Sequence, residues 1–224
     1  MAAAACATLA CASAQAGRPF FTEDAGVLEK SACEWESVAA HTSADGTPSA
    51  TQLGCGVGSL AGIATQLAGG LGQSRSGGFT DKAYWLSGKS GWSAAGDAPL
   101  LLAVAYGANW LRPAGGTSAL ESVFLNFVVT QPLADKLTGH LNLGWVGDRP
   151  AKLNTTTWNA VLEYAVTGAV DVGAELFGFE RSNAFMGTGV RWTVSKSLSL
   201  NAGYAVQSGG DRNRLGSLGI KLLF

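Results

Sequence analysis

Alternate residues of the stretch Arg214–Phe224 fall into two sets. Gly216, Leu218, Ile220, Leu222 and Phe224 form one; Leu215, Ser217, Gly219, Lys221 and Leu223 form the other. Neighbouring side chains of a β-strand point to opposite faces, so this period of two describes a strand with one greasy and one mixed side. The alternation recurs back to residue 32. It sets Leu100, Leu102, Val104 and Tyr106 against Ala103, Ala105 and Gly107, and Leu141, Leu143 and Trp145 against Thr138, His140 and Asn142. It also sets Trp158, Leu162 and Tyr164 against Asn159 and Glu163, and Leu198, Leu200, Tyr204 and Val206 against Ser199, Asn201 and Gly203. A soluble sheet also buries one face, so a single segment decides nothing. The agreement of many segments points to an all-β fold, a transmembrane antiparallel up-and-down β-barrel, apolar toward lipid and polar toward a lumen.

Composition fits that reading. The chain has 224 residues, 31 of them glycine, 14% charged residues and a formal net charge of -1. A near-neutral chain with scattered Lys and Arg lacks the basic patch that a nucleic acid demands. No run approaches the roughly 18 uninterrupted apolar residues of a spanning helix. A mean hydropathy of +0.18 suits a barrel, in which only alternate residues face lipid.

The chain divides into three parts. Residues 1–16 are Ala-rich and close with Ala14-Gln15-Ala16, a small-x-small cleavage pattern; they read as a signal peptide cut before Gly17, its basic start missing and its true start codon upstream. Residues 17–31 form a pre-barrel segment, a plug or a periplasmic strap, with Phe20-Phe21 as its apolar anchor. Residues 32–224 carry twelve strands, an even count as in bacterial single-chain barrels, among them Ala50–Val57, Ile63–Gly72, Lys82–Lys89, Val170–Phe179 and Phe185–Val194. With both termini on the periplasmic side, the turns on that rim are expected short and the outer loops, such as Gln73–Asp81 and Trp110–Leu120, longer. Trp110, Trp145 and Trp158 then cluster near the outer rim, with Trp35, Trp192 and Phe224 near the inner one, as aromatic belts do.

Of the four cysteines, Cys6 and Cys11 leave with the signal. Cys33 and Cys55 lie almost symmetrically about residue 44, so an antiparallel hairpin sets them opposite one another in an oxidising compartment, and a cross-strand disulfide is expected. The motifs of soluble enzymes fail. Gly56-x-Gly58-x-x-Ala61 has no amphipathic helix after it, and Gly88-Lys89-Ser90 lacks the leading glycine of a phosphate loop. With His41 and His140 the only histidines and no His-Glu-x-x-His, no metal site is expected, and no cofactor. A lipid-modifying barrel enzyme would need a Ser/His pair facing lipid. His140 sits on the lumen parity and no Gly-x-Ser-x-Gly elbow exists, so no catalytic residue is expected.

Charges supply the positive signal. Glu34, Glu36, His140, Glu163, Glu175, Arg191 and Lys221 all fall on the lumen parity, candidates for a constriction or for an ion-pair ladder. A charge facing lipid near the midplane would cost roughly 2–4 kcal/mol, so their agreement supports the register. Folding Val170–Phe179 back on Phe185–Val194 about residue 183 sets Glu175 opposite Arg191.

The opening Arg18-Pro-Phe-Phe-Thr-Glu-Asp-Ala-Gly26, followed by Val27-Leu-Glu-Lys30 and Glu34-Trp-Glu36, resembles outer-membrane proteins of the MetA-pathway-of-phenol-degradation, transporter-like family. The resemblance covers about a tenth of the chain and implies a passive channel for small, aromatic or apolar solutes. With the barrel reading it places the chain in the bacterial outer membrane, as a monomer in contact with lipid. Its partners are then a small-molecule solute and the barrel-assembly machinery, which would recognise Phe224. The alternatives are a lumen-filled barrel that binds a ligand or partner through its loops and, behind it, an outer-membrane lipid-modifying enzyme.

Overall fold

The computed structural model describes residues 19–43, 46–60, 62–93, 100–209 and 212–224, so the signal sequence and its cleavage site lie outside the described residues. The chain forms twelve strands. They are β1 (Cys33–Thr42), β2 (Thr47–Leu60), β3 (Ile63–Ser76), β4 (Phe79–Ser93), β5 (Leu101–Arg112), β6 (Ala119–Ala134), β7 (Leu137–Asp148), β8 (Leu153–Ala165), β9 (Val170–Phe179), β10 (Phe185–Thr193), β11 (Leu198–Gln207) and β12 (Arg214–Leu223). Each pairs antiparallel with its sequence neighbours, and β12 returns to pair with β1, closing the barrel. At the seam Cys33 and Phe224 exchange backbone bonds, N–H to O at 2.8 and 2.9 Å.

The alternation decides which side each residue takes. Leu141, Leu143, Trp145, Trp158, Leu162, Tyr164, Tyr204 and Leu218 are all exposed on the outside, a density of bare apolar side chains that suits hydrocarbon rather than water. Asn142, Glu175, His140 and Asn201, on the opposite parity, are buried inside. Trp85 departs from the belts. It points into the lumen and is only 2% exposed.

Where the termini meet the barrel we speak of the near rim, and of the opposite end as the far rim. The contrast in connection length is smaller than expected. Gln73–Ser76 and Phe79–Asp81 are strand, not loop, and β3 turns into β4 through Gly77-Gly78 alone. Both glycines have positive φ, 56° and 83°, the conformation a two-residue hairpin requires. Polar residues at a strand end that emerges from the apolar belt carry no burial cost, so composition there stops marking the strand. Pro132 lacks an N–H to donate and accordingly sits beside an irregularity in β6, between Pro132 and Ala134.

One register differs from expectation. Arg191 lies opposite Asp171, and Glu175 opposite Gly187, because the β9–β10 hairpin is centred on Arg181 rather than on residue 183. The β1–β2 hairpin places Cys33 directly opposite Cys55, and a disulfide joins them. Cys33 spends its backbone bonds on Phe224, so with Cys55 it forms the non-hydrogen-bonded kind of pair, in which the two backbones come closest; their Cα atoms are 4.1 Å apart.

Candidate functional site: a lumen with an internal strap

A barrel of eight strands is just filled by its own side chains and one of sixteen leaves a water channel, so twelve strands leave a bore of intermediate width. Residues 19–30 occupy it. This strap runs along the inner wall in the half nearer the near rim and makes most of a circuit. Lys30 forms a parallel bridge to Gly56 on β2. Leu28 N–H donates to Gln66 Oε1 on β3 at 2.8 Å, and Ala25 N–H donates to Thr130 Oγ1 on β6 at 2.8 Å. Asn142 on β7 takes Glu23 at two points: its Oδ1 accepts from Glu23 N–H at 2.7 Å and its Nδ2 donates to Glu23 O at 2.8 Å. Asn159 Nδ2 on β8 donates to Phe21 O at 3.1 Å. Glu175 Oε1 on β9 accepts from both the backbone N–H and the hydroxyl of Thr22, the latter at 2.6 Å.

Glycines on the wall make this close approach feasible. A Cβ on Gly189 would come within 2.9 Å of the Phe20 ring and one on Gly91 within 2.8 Å of Val27 Cγ2, both nearer than real Cβ atoms sit. The high glycine content is therefore partly a seat for the strap. Phe20 is 5% exposed over Gly173 and Gly189. Phe21 stacks on Phe177 with centroids 4.3 Å apart, and Phe177 stacks on Phe185 at 4.9 Å, so aromatic rings fill the space from the strap toward the far rim.

Two charged clusters flank the strap. On β1 and β12, Lys221 lies between Glu34 and Glu36, at 3.3 Å from the latter. Glu36 Oε2 accepts from Gln52 Nε2 at 2.8 Å, and Gln52 Oε1 accepts from Trp85 Nε1 at 3.2 Å. Across the ring, Arg191 donates to Asp171 at 3.0 Å and to Glu163 at 3.4 Å, and Glu163 faces His140 Nε2 at 3.3 Å. Glu163, paired with Arg191, is an acceptor, so the His140 ring donates at Nε2, while its Nδ1 lies 2.8 Å from Thr130 Oγ1. A relay thus runs from the strap's Ala25 through Thr130 and His140 to the Glu163–Arg191–Asp171 cluster. Lys89, 3% exposed, meets Glu23 at 3.4 Å and Asp24 at 3.8 Å.

All seven residues singled out for the lumen, Glu34, Glu36, His140, Glu163, Glu175, Arg191 and Lys221, lie inside, but they form no single ring. Glu34, Glu36 and Lys221 make one cluster, His140, Glu163 and Arg191 another, and Glu175 serves the strap. Gln52, Gln66, Trp85, Lys89, Thr130 and Asp171 were not singled out. The parity that placed Glu175 inside places Asp171 there too, and that of β4 places Trp85 and Lys89 together, so the signal was present. One cavity between strap and wall, of about 30 Å³, is lined by Glu23, Glu36, Gln52, Gln66 and Lys89 among others, room for about two water molecules.

A family model described as Uncharacterised conserved protein UCP029691 matches residues 4–224. The chain belongs to that family. The phenol-degradation group, which the opening residues resemble, is not the family matched; the shared motif is short and coincides with the strap and the start of β1. No curated protein matches the chain. Among solved structures, KdgM porin superposes with a TM-score of 0.63 at 9% identity, over 84% of this chain and 98% of its own. The COG4313 outer membrane channel from Pseudomonas putida F1 gives 0.62 at 10% identity, over 90% and 98%. Outer membrane phospholipase A from Escherichia coli gives 0.54 at 10%, over 84% and 92%. At such identities the likeness is one of fold, and it spans channels and an enzyme alike.

Proposed function

We propose that this chain is a monomeric bacterial outer-membrane channel for small solutes, held shut by its own N-terminal strap. One observation carries the reading: residues 19–30 run along the inside of the bore and, apart from the Lys30–Gly56 bridge, are held by wall side chains, so they can leave without breaking any pairing between the barrel's own strands. The bare apolar exterior favours lipid as the surrounding medium, and Phe224 at the seam is the feature that assembly machinery would read. The stacking place of Phe21 on Phe177 is one a flat ring would fill once Phe21 withdraws, in keeping with aromatic solutes. Catalysis is not favoured: Thr130, the hydroxyl beside His140, is buried and already accepts the Ala25 N–H.

The test is conductance in planar bilayers, with Gly173→Leu filling the seat of Phe20 and so displacing the strap. The folded wild-type protein should give rare openings and the variant steady steps. Absence of steps in a variant whose strap has become cleavable by protease would leave a lumen-filled barrel instead.

A further inference from the structure

The wall beneath the strap recognises main chain, and we infer that it is a binding track for extended peptides that carry an aromatic residue. This rests on the strap being removable, as proposed above, and names the solute class of the same lumen.

The argument comes from which atoms are held. Gln66, Thr130 and Glu175 accept backbone N–H groups of residues 28, 25 and 22, Asn159 donates to a backbone carbonyl, and Asn142 closes a two-bond ring on the N–H and C=O of residue 23. These contacts ask for a peptide bond and are indifferent to the side chain attached. A hydrocarbon in the same place would strand buried amides and a carboxylate without hydrogen-bond partners. The side-chain demands are few. One ring fits over the bare backbone of Gly173 and Gly189, the next stacks on Phe177, and an acidic residue two or three positions further on meets Lys89. The strap therefore occupies its seat as a tethered stand-in for a peptide, with the advantage of an effective concentration in the millimolar range.

The test uses the full chain with Thr22→Pro, Ala25→Pro and Leu28→Pro together, which removes three strap N–H donors and leaves every wall residue in place; folding is checked by heat-modifiability. Fluorescein-labelled acetyl-Phe-Phe-Thr-Glu-Asp-Ala-amide is added in detergent and anisotropy measured, beside a peptide that keeps the Phe pair but scrambles the rest, a form N-methylated at Thr and Glu, and a neutral trisaccharide as competitor. The first two should bind within about threefold of each other, and N-methylation should weaken binding about tenfold or more, the loss of two backbone bonds. The trisaccharide should not compete. Equal binding of the N-methylated peptide, binding of the native peptide alone, or displacement by the sugar would each overturn the inference. If the triple variant does not fold, Gly173→Leu with a peptide beginning Ala-Phe serves instead. Binding without conductance would sink the channel and spare the track; conductance without peptide binding would do the reverse.

Discussion

The wall and the strap solve the same problem, satisfying backbone polar groups away from water, in opposite ways. In the wall, main chain bonds main chain, twelve strands round a closed ring. In the strap, main chain bonds side chains drawn from β3, β6, β7, β8 and β9. A ladder is cooperative, since one strand cannot leave without exposing two neighbours. A row of single side-chain contacts has no such penalty, so of the two regions the strap is the one expected to open first.

Substitutions that separate the two regions test this contrast. Phe20→Ala removes a buried ring from its glycine seat and should take about 3–5 kcal/mol from strap docking. The strap should become cleavable by protease while the barrel keeps its heat-modifiable band; a drop in the barrel's own unfolding midpoint would merge the two regions into one. Leu141→Arg puts a charge on the lipid face of β7 and should cost about 2–4 kcal/mol, read from urea unfolding out of vesicles, with strap protection unchanged in the folded fraction. Asn142→Leu, its neighbour facing the other way, removes both bonds to Glu23 and should cost about 1–3 kcal/mol, all of it in protease protection of the strap. Arg181→Ala breaks an exposed pair with Glu180 at the far rim, 3.0 Å long, and belongs to neither region. It should shift stability by about 0–1 kcal/mol.

The sequence revealed the wall far better than the strap, for a physical reason. A strand facing lipid on one side must repeat with period two, so Leu141, Leu143 and Trp145 announce their side and thereby place His140 and Asn142 on the other. Where that demand lapses the pattern goes silent. Gln73-Ser-Arg-Ser76 reads as loop although it continues β3 to its hairpin, and the β9–β10 register slipped because the turn about Arg181 has no Asn-Gly or Gly-Gly pair to pin it. The strap has no period at all. The wall side chains that accept its backbone N–H groups lie between 38 and 153 residues away, so nothing local distinguishes a plug from a periplasmic segment. Only the surplus of inward glycine at Gly173, Gly189 and Gly203 hinted that something other than side chains had to fit inside.

The seam between β1 and β12 bears on how the molecule comes to be sealed. It joins Glu34 to Leu223, while every other junction is a hairpin between consecutive strands. Long-range pairings form late, because the entropy of loop closure must be met before any contact rewards it. The strap's seats are spread over most of the circumference, so they exist as a set only once that last junction is made. On the proposed reading, an incomplete barrel is consequently unsealed, and tightness against leakage is expected only with the last junction.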